Sequence, residues 1–240
     1  MTFDMRPDRT LAAASSLAPA TSNLVRLPVR DASGMRLAVL ERLRRAITVN
    51  ELPAGTRLIQ TQLAERLGVS RMPVRDAIND LIAEGLAEPL PTGGAMVTAL
   101  TVADMRAVYA VRAPLELEAV RLVAASGGND YQALDGVIER HHGLLKAGAQ
   151  EQLLDLDRDF HWALYRATGN RFLLASLTPV WSQVSRIMFA VLNIPSYSEV
   201  AWREHEAIAD AVKAGNVDQA VELARLHLTN GANRLIGTFE

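Results

Sequence analysis

From Thr101 to the end of the chain, Ala, Leu and Val recur at helical spacing, and short breaks interrupt them. The breaks fall at Gly127-Gly128-Asn129, Gly169-Asn170, Pro195-Ser196 and Gly215-Asn216. Helical stretches joined by short connections bury their apolar faces against one another, as neighbouring helices do in an antiparallel bundle. This part of the chain therefore predicts an all-α antiparallel bundle of about six helices, because no strand-like alternation interrupts the pattern.

The composition excludes several classes of protein. Apolar residues make up 49% of the chain and charged residues 22%, which is typical of a folded globular protein rather than a disordered or fibrous one. The chain has no cysteine, so disulfides and thiol catalysis are excluded and any metal must bind nitrogen or oxygen. No apolar run reaches the length of about 18 residues that a spanning helix needs.

The first thirty residues predict a flexible arm, because Ser, Thr, Pro and Ala alternate there without sustained periodicity. Residues 11–20 resemble the apolar part of an export signal. However, Asp4 and Asp8 precede this stretch and Pro19 interrupts it, so we expect no export signal and a cytoplasmic protein.

Charge is distributed unevenly along the rest of the chain. Residues 26–100 hold ten arginines, no lysine and eight acidic residues, whereas residues 101–240 hold thirteen basic and seventeen acidic residues. A mildly basic segment joined to an acidic one favours a nucleic-acid partner for the first segment only.

Residues 31–100 predict a smaller domain that precedes the bundle, which spans residues 101–240. Its predicted elements are three helical segments and a hairpin of two strands, at residues 35–48, 62–67, 70–85 and 86–100. Gly68-Val69 makes a tight turn between the second and third helices. The order helix, helix, tight turn, helix, hairpin is that of a winged helix-turn-helix. The fold class is thus mainly α, with the domain boundary near residues 99–103.

The start of the third helix carries groups that suit DNA. Arg71 and Arg75 lie four residues apart and project from one face, and a guanidinium can hold guanine through two parallel hydrogen bonds. Ser70 and the free amides of the first turn suit a phosphate. Gly93 and Gly94 would let the hairpin tip approach the DNA closely. The pattern leaves open a second interpretation, a structural helical domain with solvated arginines.

The string "LAERLGVSRMPVRDAI", followed by the hairpin segment "GLAEPLPTGGAMV", closely resembles the DNA-binding domain of GntR-family bacterial transcription regulators. The resemblance implies operator contacts by Ser70, Arg71, Met72 and Arg75, with Gly94 as the wing glycine. Asp76 stands where the family usually has Glu, and Ile78 where it usually has Leu. Neither departure puts the fold in doubt.

Four polar residues in the bundle suit a metal ion. Asp157 and His161 are four apart on one predicted helix, and His205 and His227 lie in register with apolar neighbours on two later helices. Polar side chains that converge inside a bundle need a partner, and three imidazoles with one carboxylate suit Zn²⁺, Ni²⁺ or Mn²⁺. The alternative is a set of unrelated histidines that are hydrogen-bonded in the core.

Other candidate ligands fit this pattern less well. Asp155 lies six residues from His161 and Asp159 lies two residues from it, so neither shares its helix face. The adjacent pair His141-His142 lies beside Gly143, and we expect both imidazoles at the surface.

Residues 104–230 look like the FCD domain, the all-helical ligand-binding domain of the FadR-like subfamily. The pieces that carry the resemblance are "VRAPLELEAV", "DRDFHWALYRATGN", "EHEAIADAVKAGN" and "ARLHL". In the metal-binding branch it implies the ligands Asp157, His161, His205 and His227. It also implies a small carboxylate effector rather than a long acyl chain.

Three residues are candidates for the effector, each with a simpler role as the alternative. Arg112 matches the arginine that neutralises the acid in this branch, although it could instead pair with Glu116 four residues on. Arg186 lies on an apolar helix and could instead extend its charge to the surface. Asn170 follows Gly169 and could instead cap a helix.

These observations favour a homodimeric, ligand-responsive transcription regulator, a repressor that binds operator DNA and senses a small organic acid at a divalent metal. Two alternatives remain. The Asp and three His residues could form a metalloenzyme site that activates water, or the metal itself could be the signal.

Overall fold

The computed structural model describes residues 24–25, 27, 32–91, 93–127, 131–144, 150–192 and 197–237. The chain divides into two compact units, Met1–Val102 and Ala103–Glu240. The predicted flexible arm lies outside the described residues except for residues 24, 25 and 27. Of these, Leu24 is buried, and the Leu27 amide donates to the Leu67 carbonyl at 3.0 Å.

The first unit has three helices and a small sheet. Its elements are α1 (Ala32–Thr48), β1 (Arg57–Leu58), α2 (Gln60–Leu67), α3 (Arg71–Ala83), β2 (Ala87–Pro89) and β3 (Ala95–Val97). The strands form an antiparallel sheet of order β1-β3-β2, with Glu88 opposite Met96 and Arg57 on the other side of Met96. The predicted winged helix-turn-helix is confirmed, and the sheet has a third strand, β1, that the sequence pattern did not indicate.

The core of the first unit lies where α1, α2 and α3 meet. Each helix turns its periodic apolar residues inward, so that Leu43, Leu63, Leu67 and Leu81 are almost completely buried. Gly68, at φ 70°, ends α2 in the left-handed conformation that glycine adopts without strain. The turn is short because the Val69 amide bonds back to the Ala64 carbonyl at 3.0 Å. As a result, only three residues, 68–70, separate α2 from α3.

The second unit is helical throughout its described residues. Its elements are α4 (Val102–Ser126), α5 (Gln132–Leu144), α6 (Gln150–Ala167), α7 (Arg171–Leu177), the 3-10 turn Thr178–Val180, α8 (Trp181–Leu192), α9 (Tyr197–Lys213) and α10 (Val217–Ile236). Three predicted breaks coincide with positive φ angles, at Gly127 after α4, at Gly169 between α6 and α7 and at Gly215 between α9 and α10. The all-α bundle is confirmed.

The core of the second unit joins α4, α6, α8, α9 and α10. Val120, Phe160, Ile187, Val212 and Ala220 are each almost completely buried, one on each of these helices. The same inward faces of α6, α9 and α10 also carry buried histidines. None of the described helices has the length and apolar character needed to cross a membrane.

Two leucines of α1, one buried and one exposed, provide a test of the core of the first unit. Leu43 is 0% exposed and Leu37 is 57% exposed. Leu43→Ala should lower the free energy of unfolding of the first unit by about 2–5 kcal/mol, because it removes buried methyl groups and leaves a cavity. Leu37→Ala should change it by less than about 0.5 kcal/mol. Urea unfolding followed by circular dichroism measures both, and equal losses would contradict the assigned core.

Candidate nucleic-acid interface and metal centre

Helix α3 separates its buried residues from its basic ones. Val74 and Ile78 face the core, whereas Arg71 and Arg75 are exposed and Met72 is 65% exposed. The Arg75 guanidinium lies against the Asp76 carboxylate at 3.1 Å, an exposed pair that a stronger anion could displace. The predicted contact residues thus share an accessible surface at the start of α3.

Ser70 occupies the N-cap position of α3 with extended backbone, φ −71° and ψ 165°. Its hydroxyl makes no capping hydrogen bond within the described part of the chain. The first-turn amides of α3 and the Ser70 hydroxyl are therefore available to an anion, which the partial positive charge of a helix N-terminus favours.

The wing turns through two glycines that have positive φ, 89° at Gly93 and 81° at Gly94. The Gly93 amide donates to the Leu90 carbonyl at 2.9 Å, and the Leu90 amide donates to the Gly94 carbonyl at 3.1 Å. A side chain at Gly94 would have space, since its nearest contact would be the Leu58 carbonyl at 3.5 Å. The backbone conformation, rather than crowding, is what favours glycine there.

Three buried histidines from α6, α9 and α10 meet inside the second unit. His161, His205 and His227 each place a ring nitrogen within 4.8 Å of the other two. The Nε2 atoms of His205 and His227 are 3.2 Å apart. Residues that are separated by up to 66 positions in sequence thus share one place.

Asp157 completes the predicted set. Its carboxylate oxygen Oδ1 lies 3.7 Å from His205 Nε2 and 4.0 Å from His161 Nε2, and the side chain is 2% exposed. The two rival carboxylates lie elsewhere. Asp155 pairs with Arg158, and Asp159 pairs with Arg140 and Arg158 at the surface.

Two carboxylates orient the imidazoles. Glu204 Oε2 lies 2.8 Å from His227 Nδ1, and Glu116 Oε1 lies 2.8 Å from His161 Nδ1. An ionised carboxylate only accepts hydrogen bonds, so Nδ1 of each ring carries the hydrogen and, in the neutral ring, Nε2 carries a lone pair. In this tautomer Nε2 can bind a metal, and a carboxylate behind the ring is the usual support of a metal-bound histidine.

His205 lies close to both of the other rings, with ring centroids 5.1 Å from His161 and 4.5 Å from His227. It stacks on Phe160 with ring centroids 4.1 Å apart, and its Nδ1 is buried without a hydrogen-bond partner among the described residues. Burial first, and then the neighbouring His227 and His161, lower the pKa of His205 well below its ordinary value. The ring is therefore neutral at physiological pH and keeps a lone pair for a cation.

Arg112 lies beside this cluster and is fully buried. Its Nε donates to Glu116 Oε2 at 2.8 Å, and its Nη2 lies 3.1 Å from His161 Nε2. The Tyr165 hydroxyl donates to the same Glu116 oxygen at 2.6 Å. Burial raises the pKa of Glu116, but Arg112 and His161 outweigh it and hold the pKa well below the usual range. The ion pair that was the alternative role of Arg112 is therefore present, and it lies next to the candidate metal ligands.

A cleft opens near this arginine. It has a volume of about 500 Å³ and is lined by residues of α4 and α10 together with Gly237, Tyr109 among them. The Arg112 guanidinium lies 5.6 Å from the centre of the Tyr109 ring, and burial raises the pKa of Tyr109 to about 12. Tyr109 therefore lies between the cleft and the buried arginine.

Of the other two effector candidates, Asn170 shows its simpler role. The Asn170 side chain caps α7 by accepting hydrogen bonds from the amides of Phe172 and Leu173 at 3.0 and 3.2 Å. Arg186 is partly buried, and burial lowers its pKa against the opposing effect of Asp104. An effector contact by either residue stays a prediction.

The structure corrects one prediction and adds two residues. His141 was expected at the surface but is 2% exposed, because α5 turns it against Trp202 while His142 faces outward. Glu116 and Glu204 orient histidines on other helices. Local spacing carries no signal for such a contact, although Glu116 was named as a partner of Arg112.

These features together define a winged-helix DNA-binding unit joined to a helical unit with a candidate ligand site. Residues 36–97 match the family model of bacterial regulatory proteins of the gntR family, and residues 107–230 match the model of the FCD domain. The chain belongs to the GntR family of bacterial regulatory proteins and carries an FCD domain. It is a DNA-binding transcription regulator of that family and not an enzyme.

Relatives of known name agree with this assignment. The chain is 29% identical over 213 residues to the uncharacterized HTH-type transcriptional regulator BphR of Paraburkholderia xenovorans (strain LB400), covering 84% of this chain and 85% of that protein. It is 27% identical over 183 residues to the HTH-type transcriptional repressor GlaR of Escherichia coli (strain K12), covering 72% and 82%.

Solved structures share the fold. McbR/YncC of E. coli superposes with a TM-score of 0.75 at 22% identity, covering 86% of this chain and 99% of that one. The transcriptional regulator GntR from Rhodococcus sp. RHA1 gives a TM-score of 0.74 at 22% identity, covering 85% and 98%. At such identities the likeness concerns the fold alone.

The buried ion pair provides a stability test. Arg112→Met should lower the free energy of unfolding by about 3–5 kcal/mol, because it leaves the Glu116 charge buried without its cation. Adding Glu116→Gln should restore part of the loss. Arg121→Met removes an exposed pair with Glu118 on the same helix and should leave stability nearly unchanged. Urea unfolding of the metal-free protein measures the stability of the unaltered chain and the three variants, and similar losses for Arg112→Met and Arg121→Met would contradict the role assigned to the buried pair.

Proposed function

We propose that this chain is a homodimeric repressor whose second unit binds a small carboxylic acid beside a divalent metal ion. The observation that carries the proposal is the shared orientation of His161 and His227. Each has its Nδ1 held by a carboxylate, which leaves the Nε2 lone pairs to meet with His205 and Asp157.

The residues present fit a metal ion. Three imidazole nitrogens and one carboxylate oxygen are a donor set for Zn²⁺, Ni²⁺ or Mn²⁺, and His161, His205, His227 and Asp157 would hold the ion. Charge supports the same conclusion, because the fully buried ionic side chains among the described residues are two carboxylates, Asp157 and Glu116, and one guanidinium. Buried charges need compensation, and a cation supplies it.

Arg112 would hold the acid. A bound ion that accepts more than four ligands offers an open coordination position to a carboxylate oxygen. The Arg112 guanidinium lies 3.1 Å from a candidate metal ligand and can neutralise the acid through paired hydrogen bonds. The acid would then compete with Glu116 for Arg112. Since Glu116 also holds His161, acid binding and metal binding would be coupled through that one carboxylate.

The first unit would bind operator DNA. The accessible groups at the start of α3 and in the wing support this role for Ser70, Arg71, Met72, Arg75 and Gly94. In a dimer, two α3 helices would bind half-sites about one helical turn apart. Binding of the acid can release the DNA only if the DNA-binding arrangement of the dimer and the arrangement that does not bind DNA differ in their affinity for the acid. A bacterial regulator that binds operator DNA would act in the cytoplasm.

DNA binding can be tested once a binding sequence has been selected from a random duplex pool. Arg71→Ala and Arg75→Ala should each weaken binding to the selected sequence by about 1–3 kcal/mol, if each guanidinium contacts a base. The loss for a scrambled sequence should be smaller. Arg121→Ala, on an exposed face of the second unit, is the control. Fluorescence anisotropy at fixed salt measures affinity, and unchanged specific binding in both variants would remove these residues from the interface.

The metal and acid roles can be tested together. His205→Ala should lose one tightly bound equivalent of metal, as measured by elemental analysis, while keeping its affinity for DNA in the absence of acid. Arg203→Ala, an exposed change two residues away on α9, is the control. An unchanged metal content in His205→Ala would remove His205 from the site.

A panel of small carboxylic acids should include one that raises the melting temperature of the metal-loaded chain. Ligand at about 100 times its dissociation constant stabilises by about 2.7 kcal/mol. The same acid should lower DNA affinity in the unaltered chain and in Arg203→Ala, but not in His205→Ala. If metal alone produced the full change in DNA affinity, the metal rather than an acid would be the signal.

A further inference from the structure

A second group of candidate ligands lies between α5 and α9, apart from the residues that the proposed function uses. His141, His142 and Glu206 each offer a ligand atom within 4.8 Å of the other two. His142 is 63% exposed on its side chain, and its Nε2 lies 2.6 Å from Glu206 Oε1. We call these three residues the α5–α9 cluster.

His141 is the unexplained member of the cluster. It is almost completely buried, yet neither of its ring nitrogens has a hydrogen-bond partner among the described residues. Leaving a buried polar group unsatisfied costs about 1–3 kcal/mol. The ring is also held in place, since it stacks on Trp202 with centroids 3.9 Å apart and planes 15° apart. An oriented imidazole that has no hydrogen-bond partner and lies beside a histidine and a carboxylate is an arrangement that can bind a metal ion.

We infer that the α5–α9 cluster is a second binding site for a divalent transition-metal ion, with His141, His142 and Glu206 as its ligands. Two imidazoles and one carboxylate suit Zn²⁺, Ni²⁺ or Cu²⁺, and water would complete the coordination.

The cluster differs from the inner histidine site in access and in ligand number. Two of its three ligands are reachable from solvent, and it offers three protein ligands where the inner site offers four. We therefore expect weaker binding and faster exchange than at the inner site. Helix α9 connects the two, because Trp202 stacks on His141 and meets the His205 ring edge-on at 5.0 Å.

Isothermal titration with Zn²⁺ alone, on the full chain after removal of metal with a chelator, tests the inference. The unaltered chain should bind two equivalents of Zn²⁺. His142→Ala and Glu206→Gln should each lose the weaker equivalent, with an affinity loss of at least about 10–100-fold. That is the loss in metal affinity that follows when even an outer partner of a metal ligand is removed. Both changes are at solvent-reachable side chains, and thermal melting checks that the variants are folded.

Matched controls separate the possible outcomes. Glu222→Gln removes an exposed carboxylate on α10 and should keep both equivalents. His227→Ala should lose only the tighter equivalent. Loss of the weaker equivalent in His142→Ala would support the second site even if His227→Ala changed nothing and the inner site failed. A second equivalent that survives both His142→Ala and Glu206→Gln, or a single equivalent that neither change affects, would overturn the inference.

Discussion

Two carboxylates determine what the centre of the second unit can do. Glu116 and Glu204 take the Nδ1 hydrogens of His161 and His227, so the opposite nitrogens are presented as lone pairs inside a buried space. The Arg112 guanidinium donates to His161 Nε2 at 3.1 Å, and the Nε2 atoms of His205 and His227, 3.2 Å apart, share either a proton or a cation. The rest of the arrangement, with a neutral His205 next to both rings and Asp157 beside it, supports the proposed cation site.

Glu116 connects this centre to the candidate effector arginine. It accepts hydrogen bonds from Arg112 and Tyr165 through one oxygen and faces His161 with the other. These four side chains are buried, so the electrostatic interactions between them are weakly screened. A change in the charge of one therefore changes the interaction energies of the others. The buried pair alone would not favour folding over an apolar core of equal volume. We therefore regard it as a functional arrangement whose cost the surrounding apolar core offsets.

Much of the fold and part of the site could be predicted from sequence. Helical spacing places Asp157 and His161 on one face of α6, and the turn at Gly68 fixes how α3 follows α2. Other features depend on contacts between distant segments. Strand β1 is two residues long and exists because β3 pairs with it. Glu204 reaches His227 from another helix, and the burial of His141 depends on which side of α5 faces Trp202. In each case tertiary packing, and not local pattern, decides the outcome.

Anomalous diffraction at the metal absorption edge, from crystals of the full chain grown with Zn²⁺, would show whether His161, His205, His227 and Asp157 bind one ion. We expect a strong peak about 2.0–2.2 Å from Nε2 of His161, His205 and His227 and from an oxygen of Asp157. A metal-loaded crystal with no anomalous peak among those four side chains would contradict the proposed metal site.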